Sequence, residues 1–139
     1  MQTELSDMLN DFYNSMLIKE KGISKYFNQK TLVDGISFDS KKEANRYKEL
    51  KLREKAKEIK DIQIHPRFLI WQGFTDREGK KYQPINYEAD FKYLEKKQVK
   101  GRMIWVEVVE DVKGMKTEIY KLKKKMFLST YNQYKFREI

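Results

Sequence analysis

Apolar side chains open the chain at three- and four-residue steps: Leu5, Met8, Leu9, Phe12, Tyr13, Met16 and Leu17. That period lines one face of a helix over Glu4–Lys19, which Gly22 ends. The stripe needs a cover, either the rest of the domain or a second copy in a homodimer. From Lys25 to Phe38 periodicity is weak, and Asp34-Gly35 marks a turn within a short hairpin. Asp39-Ser40 then starts a long helix to about Ile59, with Ala44, Tyr47, Leu50, Leu52, Ala56 and Ile59 among its charges. Three strands follow, over 62–74, 85–94 and 103–112, and together they read as an antiparallel meander. Asp76–Gly79 turns between the first two, and the charged run Lys96–Gly101 forms the tip between the last two. Pro66 gives the first strand an edge position or a bulge. Gly114 breaks the third strand, Thr117–Tyr131 forms a second main helix on Ile119, Leu122, Met126 and Phe127, and Tyr134–Ile139 alternates as a closing strand. The order α-β-β-β-α-β, with an extra amino-terminal helix, predicts an α/β fold built on a central mixed sheet flanked by helices. An organisation into residues 1–24 and a domain over 25–139 follows.

The bulk composition narrows the chemistry. The chain has 139 residues, 40% of them hydrophobic and 14% aromatic, which suits one packed core despite 37% charged residues. No apolar run matches a membrane span and no signal-peptide pattern is present, so a cytoplasmic protein without membrane partners is expected. Cysteine is absent, which removes disulfides and thiolate metal sites. The single histidine, His65, excludes two-histidine zinc sites and disfavours a Ser-His-Asp triad. It reads as a structural or surface residue. Without a Gly-x-x-x-x-Gly-Lys-Ser/Thr loop, ATP hydrolysis is not expected. The net charge of +9 points to a polyanionic partner such as nucleic acid.

Candidate chemistry gathers at two strand ends. Met103–Val109 runs into Glu110-Asp111-Val112-Lys113-Gly114, and Tyr87-Glu88-Ala89-Asp90-Phe91 carries another acid. Side chains two apart on a strand share a face, so Asp111 and Lys113 point together while Val112 turns to the core. Beside Asp90 on a neighbouring strand, they converge as two carboxylates and an ammonium. Carboxylates hold hard cations such as Mg²⁺, and lysine can orient water or neutralise a phosphoryl oxygen. Glu110 faces the other way. Glu107 lies roughly 13 Å along the strand from Asp111, too far to share an ion. Glu88 shares the face of Asp90, as a neighbouring or a solvated acid. Glu43 follows Ser40 by three residues, as in a capping box; its second reading, as a metal carboxylate, comes from the resemblance given next. Thr117, Lys121 and Lys124 share a second face of the last helix, either as a solvated surface or as phosphate contacts. Trp71, Tyr82 and Tyr87 can stack on bases or pack the strands.

This spacing resembles the PD-(D/E)XK nuclease superfamily. More closely, Val33–Ala44, Asp90, Val109–Gly114 and Tyr120–Phe127 look like a phage- and prophage-associated branch of it. Ala89 stands where the superfamily's name has proline, and Asp111 where glutamate is commoner. The resemblance implies a restriction-endonuclease-like core and a Mg²⁺- or Mn²⁺-dependent DNA endonuclease leaving 5′-phosphate and 3′-hydroxyl ends. It implies metal binding by Asp90, Asp111 and Glu43 with the Val112 backbone carbonyl, water positioning by Lys113, and phosphate contacts by Thr117, Lys121 and Lys124. A recombination nuclease or junction resolvase acting on branched DNA as a homodimer in the host cytoplasm fits this reading. The alternative is a non-catalytic basic nucleic-acid-binding module that keeps the fold.

Overall fold

The computed structural model describes residues 30–139. The expected helix over Glu4–Lys19, and the dimer contact assigned to it, lie outside the described residues. In chain order the elements are β1 (Thr31–Val33), β2 (Ile36–Phe38), α1 (Lys41–Lys55), β3 (Ile59–Ile64), β4 (Arg67–Trp71) and β5 (Phe74–Thr75). They continue with β6 (Lys81–Tyr82), β7 (Ile85–Glu88), β8 (Phe91–Val99), β9 (Arg102–Asp111), α2 (Glu118–Thr130) and β10 (Lys135–Glu138). The described residues form two compact units: 30–67, 88–115 and 131–139 in one, 68–87 and 116–130 in the other.

The larger unit carries a mixed four-stranded sheet in the order β10-β9-β8-β3, antiparallel except for the parallel β9–β10 pair. The α/β class and the mixed sheet match the expectation, and β3-β8-β9 is the expected meander with an excursion spliced into it. The expected strands over 62–74 and 85–94 each break in the middle. The first breaks at His65, where φ is +53°, and Pro66. The second breaks at Ala89 and Asp90. These breaks bond to each other: the His65 amide donates to the Asp90 carbonyl at 2.9 Å, and the Ala89 amide donates to the Pro66 carbonyl at 3.1 Å. The chain leaves the sheet unit through one break and re-enters through the other.

Local chemistry sets the remaining boundaries. Asp34 and Gly35, at φ +53° and +75°, join β1 to β2 in the two-residue turn their sequence signals. Helix α1 starts on Ser40, whose Oγ accepts the Glu43 amide at 3.1 Å. It stops at Lys55, short of the expected Ile59, in a Schellman closure. Lys57 takes φ +61°, its amide donates to Glu54 and the Glu58 amide donates to Arg53. Lysine hides a position usually marked by glycine, and Ile59 is released to begin β3. Leu52, one of the apolar residues of this helix, is 69% exposed. The β8–β9 turn needs only Lys100 and Gly101, both at positive φ, so Lys96–Val99 belong to the strand rather than to a tip.

The core of this unit packs Ala44, Tyr47 and Leu50 of α1 with Phe38, Ile59, Phe91, Tyr93, Val108 and Val112. The Phe38 and Tyr47 rings lie 5.1 Å apart. Within it sits a polar network. Glu110 is fully buried and meets Arg46 twice, from Nε at 2.5 Å and from Nη2 at 2.9 Å. The Tyr93 hydroxyl also donates to Glu110. Arg137 donates to the Tyr93 oxygen at 2.8 Å and to both Glu95 oxygens, and Arg53 donates to Glu95 at 3.0 Å. The arginines hold the Glu95 carboxyl down at about 2, Arg137 contributing most. Burial, then Glu110, pushes the Tyr93 hydroxyl up to about 12. Helix α1 and strands β8, β9 and β10 are all tied through this network.

The smaller unit holds the β4–β7 pair, the β5–β6 hairpin and α2. Phe68, Tyr87 and Phe127 pack together, with Phe68 and Phe127 rings 4.8 Å apart. Asp76 builds the expected turn, its Oδ1 accepting the amides of Glu78 and Lys80. At Gly73 a Cβ would stand 2.7 Å from the Tyr82 carbonyl, so only glycine fits. Tyr82 and Tyr87 are buried and serve packing.

The Glu110–Arg46 pair yields a stability prediction. Glu110→Ala removes two of the carboxylate bonds of the largely buried Arg46 guanidinium and leaves it the bond to Glu49, and urea denaturation should register a loss of roughly 3–5 kcal/mol. Wild-type stability in this variant would remove the pair from its anchoring role.

Candidate metal centre

Separate segments of the larger unit bring candidate ligands to one place. Glu43 lies in the first turn of α1, His65 follows β3, Asp90 precedes β8, and Asp111 ends β9. The β8–β9 pairing ends at Phe91↔Glu110, and just beyond it the Asp90 amide donates to the Glu110 carbonyl at 3.1 Å, which holds Asp90 beside the end of β9. Ligand atoms of Glu43, His65 and Asp90 lie within 4.8 Å of one another. His65 Nε2 and Glu43 Oε1 share a hydrogen bond of 2.7 Å. The Val112 amide donates to Asp90 Oδ2 at 2.6 Å, and Lys113 Nζ stands 3.4 Å from Asp111 Oδ1. Lys42 Nζ donates to the carbonyls of Lys113 and Ile139, which fixes the backbone where Lys113 departs.

The electrostatics are those of crowded anions. Burial first, and then the Glu43 carboxylate, push the Asp90 carboxyl from 3.8 up to about 6. The Val112 amide, the Asp111 side chain and Lys113 oppose this shift without cancelling it. The hydrogen bond to Glu43 holds His65 above its ordinary value. Carboxylates gathered against their own repulsion, with one imidazole, are a donor set that fits a divalent cation.

The structure thus draws Glu43, Asp90, Asp111 and Lys113 into one neighbourhood. Both Glu43 readings touch something real: its amide makes the cap contact to Ser40, while its carboxylate turns to His65. Val112 meets Asp90 through its amide. His65, read from sequence as structural or surface, stands inside the cluster; the strand break at His65-Pro66 is the signal that marked its position. Thr117, Lys121 and Lys124 belong to the smaller unit. Thr117 Oγ1 accepts the Tyr120 amide at 3.2 Å at the start of α2, and Lys121 Nζ lies 3.3 Å from Glu118. Glu110 is turned away, as its place on the strand required.

Residues 23–139 match the family described as proteins of unknown function (DUF1064), and the chain belongs to that family. No curated protein and no solved structure matches it. Among the described residues, no helix is long and apolar enough to cross a membrane.

The raised Asp90 value fixes a sign. Between a pH of about 4 and about 6 the folded protein keeps a proton that the unfolded chain has lost. Stability of the metal-free protein should therefore fall as pH rises through that window. His65 adds its own decline higher, as pH passes through its raised folded value. Asp90→Asn should flatten the lower window and stabilise the metal-free protein at pH 7 by on the order of 2 kcal/mol. Denaturation curves of the two proteins that stay parallel from pH 4 to 7 would reject this.

Proposed function

We propose that the protein is a divalent-metal-dependent DNA endonuclease whose centre is Glu43, Asp90, Asp111 and Lys113. The carrying observation is the convergence of these side chains from α1, the β7–β8 junction and the end of β9. A fold that needed only stability has no use for an acid cluster that raises Asp90 to about 6. The resemblance to PD-(D/E)XK nucleases rests on the same residues, and the net charge of +9 suits a phosphate-backbone substrate.

Asp90 and Asp111, with Glu43, are the residues that would hold the cation. When bound, Mg²⁺ or Mn²⁺ supplies Lewis-acid charge to the scissile phosphoryl oxygen. Lys113 does the positioning. Its ammonium, close to Asp111, holds the attacking water in line with the phosphorus and balances charge as it builds on the phosphoryl oxygens. The water attacks phosphorus and releases a proton to solvent as the bond from phosphorus to the 3′-oxygen breaks, and that oxygen leaves as the hydroxyl after taking a proton from solvent. The 5′-phosphate stays on the other fragment. Thr117, Lys121 and Lys124 are proposed phosphate contacts. A branched substrate, cut in pairs by a homodimer during phage recombination in the host cytoplasm, is the proposed setting.

The test is cleavage of linear, nicked and four-way-branched DNA with Mg²⁺ or Mn²⁺. Asp111→Asn should abolish cutting while leaving the melting temperature intact or raised. Lys113→Ala should cost on the order of 100-fold or more in rate. It should still bind DNA, because it removes one of 30 basic residues. Wild-type protein that binds DNA but cuts nothing with either metal would leave the non-catalytic binding module as the better reading.

A further inference from the structure

We propose that His65 is itself a metal ligand, and that its imidazole tunes the centre toward Mn²⁺ and other borderline cations over Mg²⁺. The inference rests on the metal-centre reading above but does not need the nuclease activity.

The geometry carries it. Metal–ligand bonds of roughly 2.1 Å at right angles put adjacent ligand atoms about 3 Å apart. The 2.7 Å between His65 Nε2 and Glu43 Oε1 is close to that spacing, and Asp90 offers a third atom within 4.8 Å. The imidazole is also held on a built support. His65 takes φ +53°, its amide donates to the Asp90 carbonyl at 2.9 Å, and its ring lies edge-on to Phe38 at 6.4 Å. Backbone and ring together aim Nε2 at the space shared by the Glu43 and Asp90 carboxylates. An acid-only centre suits Mg²⁺, which dehydrates reluctantly and prefers a few oxygen ligands plus water. Adding imidazole favours transition metals, which bind nitrogen better. His65 could instead act only as an outer partner that holds Glu43 in place, and that role makes different predictions.

Mn²⁺ bound to the wild-type full chain should show nitrogen hyperfine coupling in electron spin-echo measurements. This readout needs no variant and no DNA. His65→Asn is the variant that best preserves the backbone, because asparagine tolerates the left-handed conformation. Calorimetry should then show Mn²⁺ affinity falling at least about tenfold, with Mg²⁺ affinity changing much less. Thermal melts confirm that the variant is folded. Absence of nitrogen coupling, or equal losses for both metals, would overturn the proposal and leave His65 as an outer partner of Glu43. Nitrogen coupling in a protein that cuts no DNA would uphold the ligand and reject the nuclease reading alone.

Discussion

The geometry of the larger unit depends on the buried pairing of Glu110 with Arg46. A carboxylate with no solvent exposure is costly to desolvate, and Glu110 is held by two guanidinium bonds and the Tyr93 hydroxyl. The pairing fixes two things at once. On α1 it clamps the helix one turn after Glu43, so the direction of the Glu43 carboxylate is set. On β9 it fixes register, because a one-residue slip would exchange Glu110 with Asp111. Asp111 would then face the arginine, and Glu110 would face Asp90. Adjacent acids can serve opposite faces only while that register holds.

The two acid environments differ in kind. Glu110 and Glu95 sit among arginines and a tyrosine hydroxyl, each charge answered by fixed donors. Asp90 has the Val112 amide and the more distant Lys113 ammonium, set against burial and the Glu43 carboxylate. Local consistency is broken at that one place, and such breaks concentrate at functional sites. The same strand end thus carries a structural acid and a candidate chemical one, separated by a single peptide.

Much of this was legible in the chain because it rests on short-range rules. Period-two alternation places Asp111 with Lys113 and turns Val112 inward, and Val112 does lie in the core. The Asp34-Gly35 turn, the Ser40 cap and the closing strand follow from local residue chemistry as well. What local patterns could not supply were conformations that tertiary contacts impose. Lys57 closes α1 in a position glycine usually marks, and nothing in its neighbours announces it. The apolar runs over 62–74 and 85–94 look continuous, since alternation does not reveal that each serves two units. The break beside Pro66 was legible, but the partners of His65 were not, because Glu43 and Asp90 are 22 and 25 positions away.

The paired breaks also explain why the site lies where it does. A strand inside a sheet spends its backbone on ladder bonds and sends side chains only up or down. At His65-Pro66 and Ala89-Asp90 the ladder gives way to cross-bonds between the two breaks, with left-handed backbone at His65. The side chains of His65 and Asp90 are freed from strict alternation and can converge with a helix residue. Proline contributes by withholding a donor where the ladder must stop, while its carbonyl still accepts the Ala89 amide. The excursion of the chain into the smaller unit therefore does more than add residues. The cross-bonded breaks that frame it set His65 and Asp90 side by side, with their ligand atoms within 4.8 Å of that of Glu43.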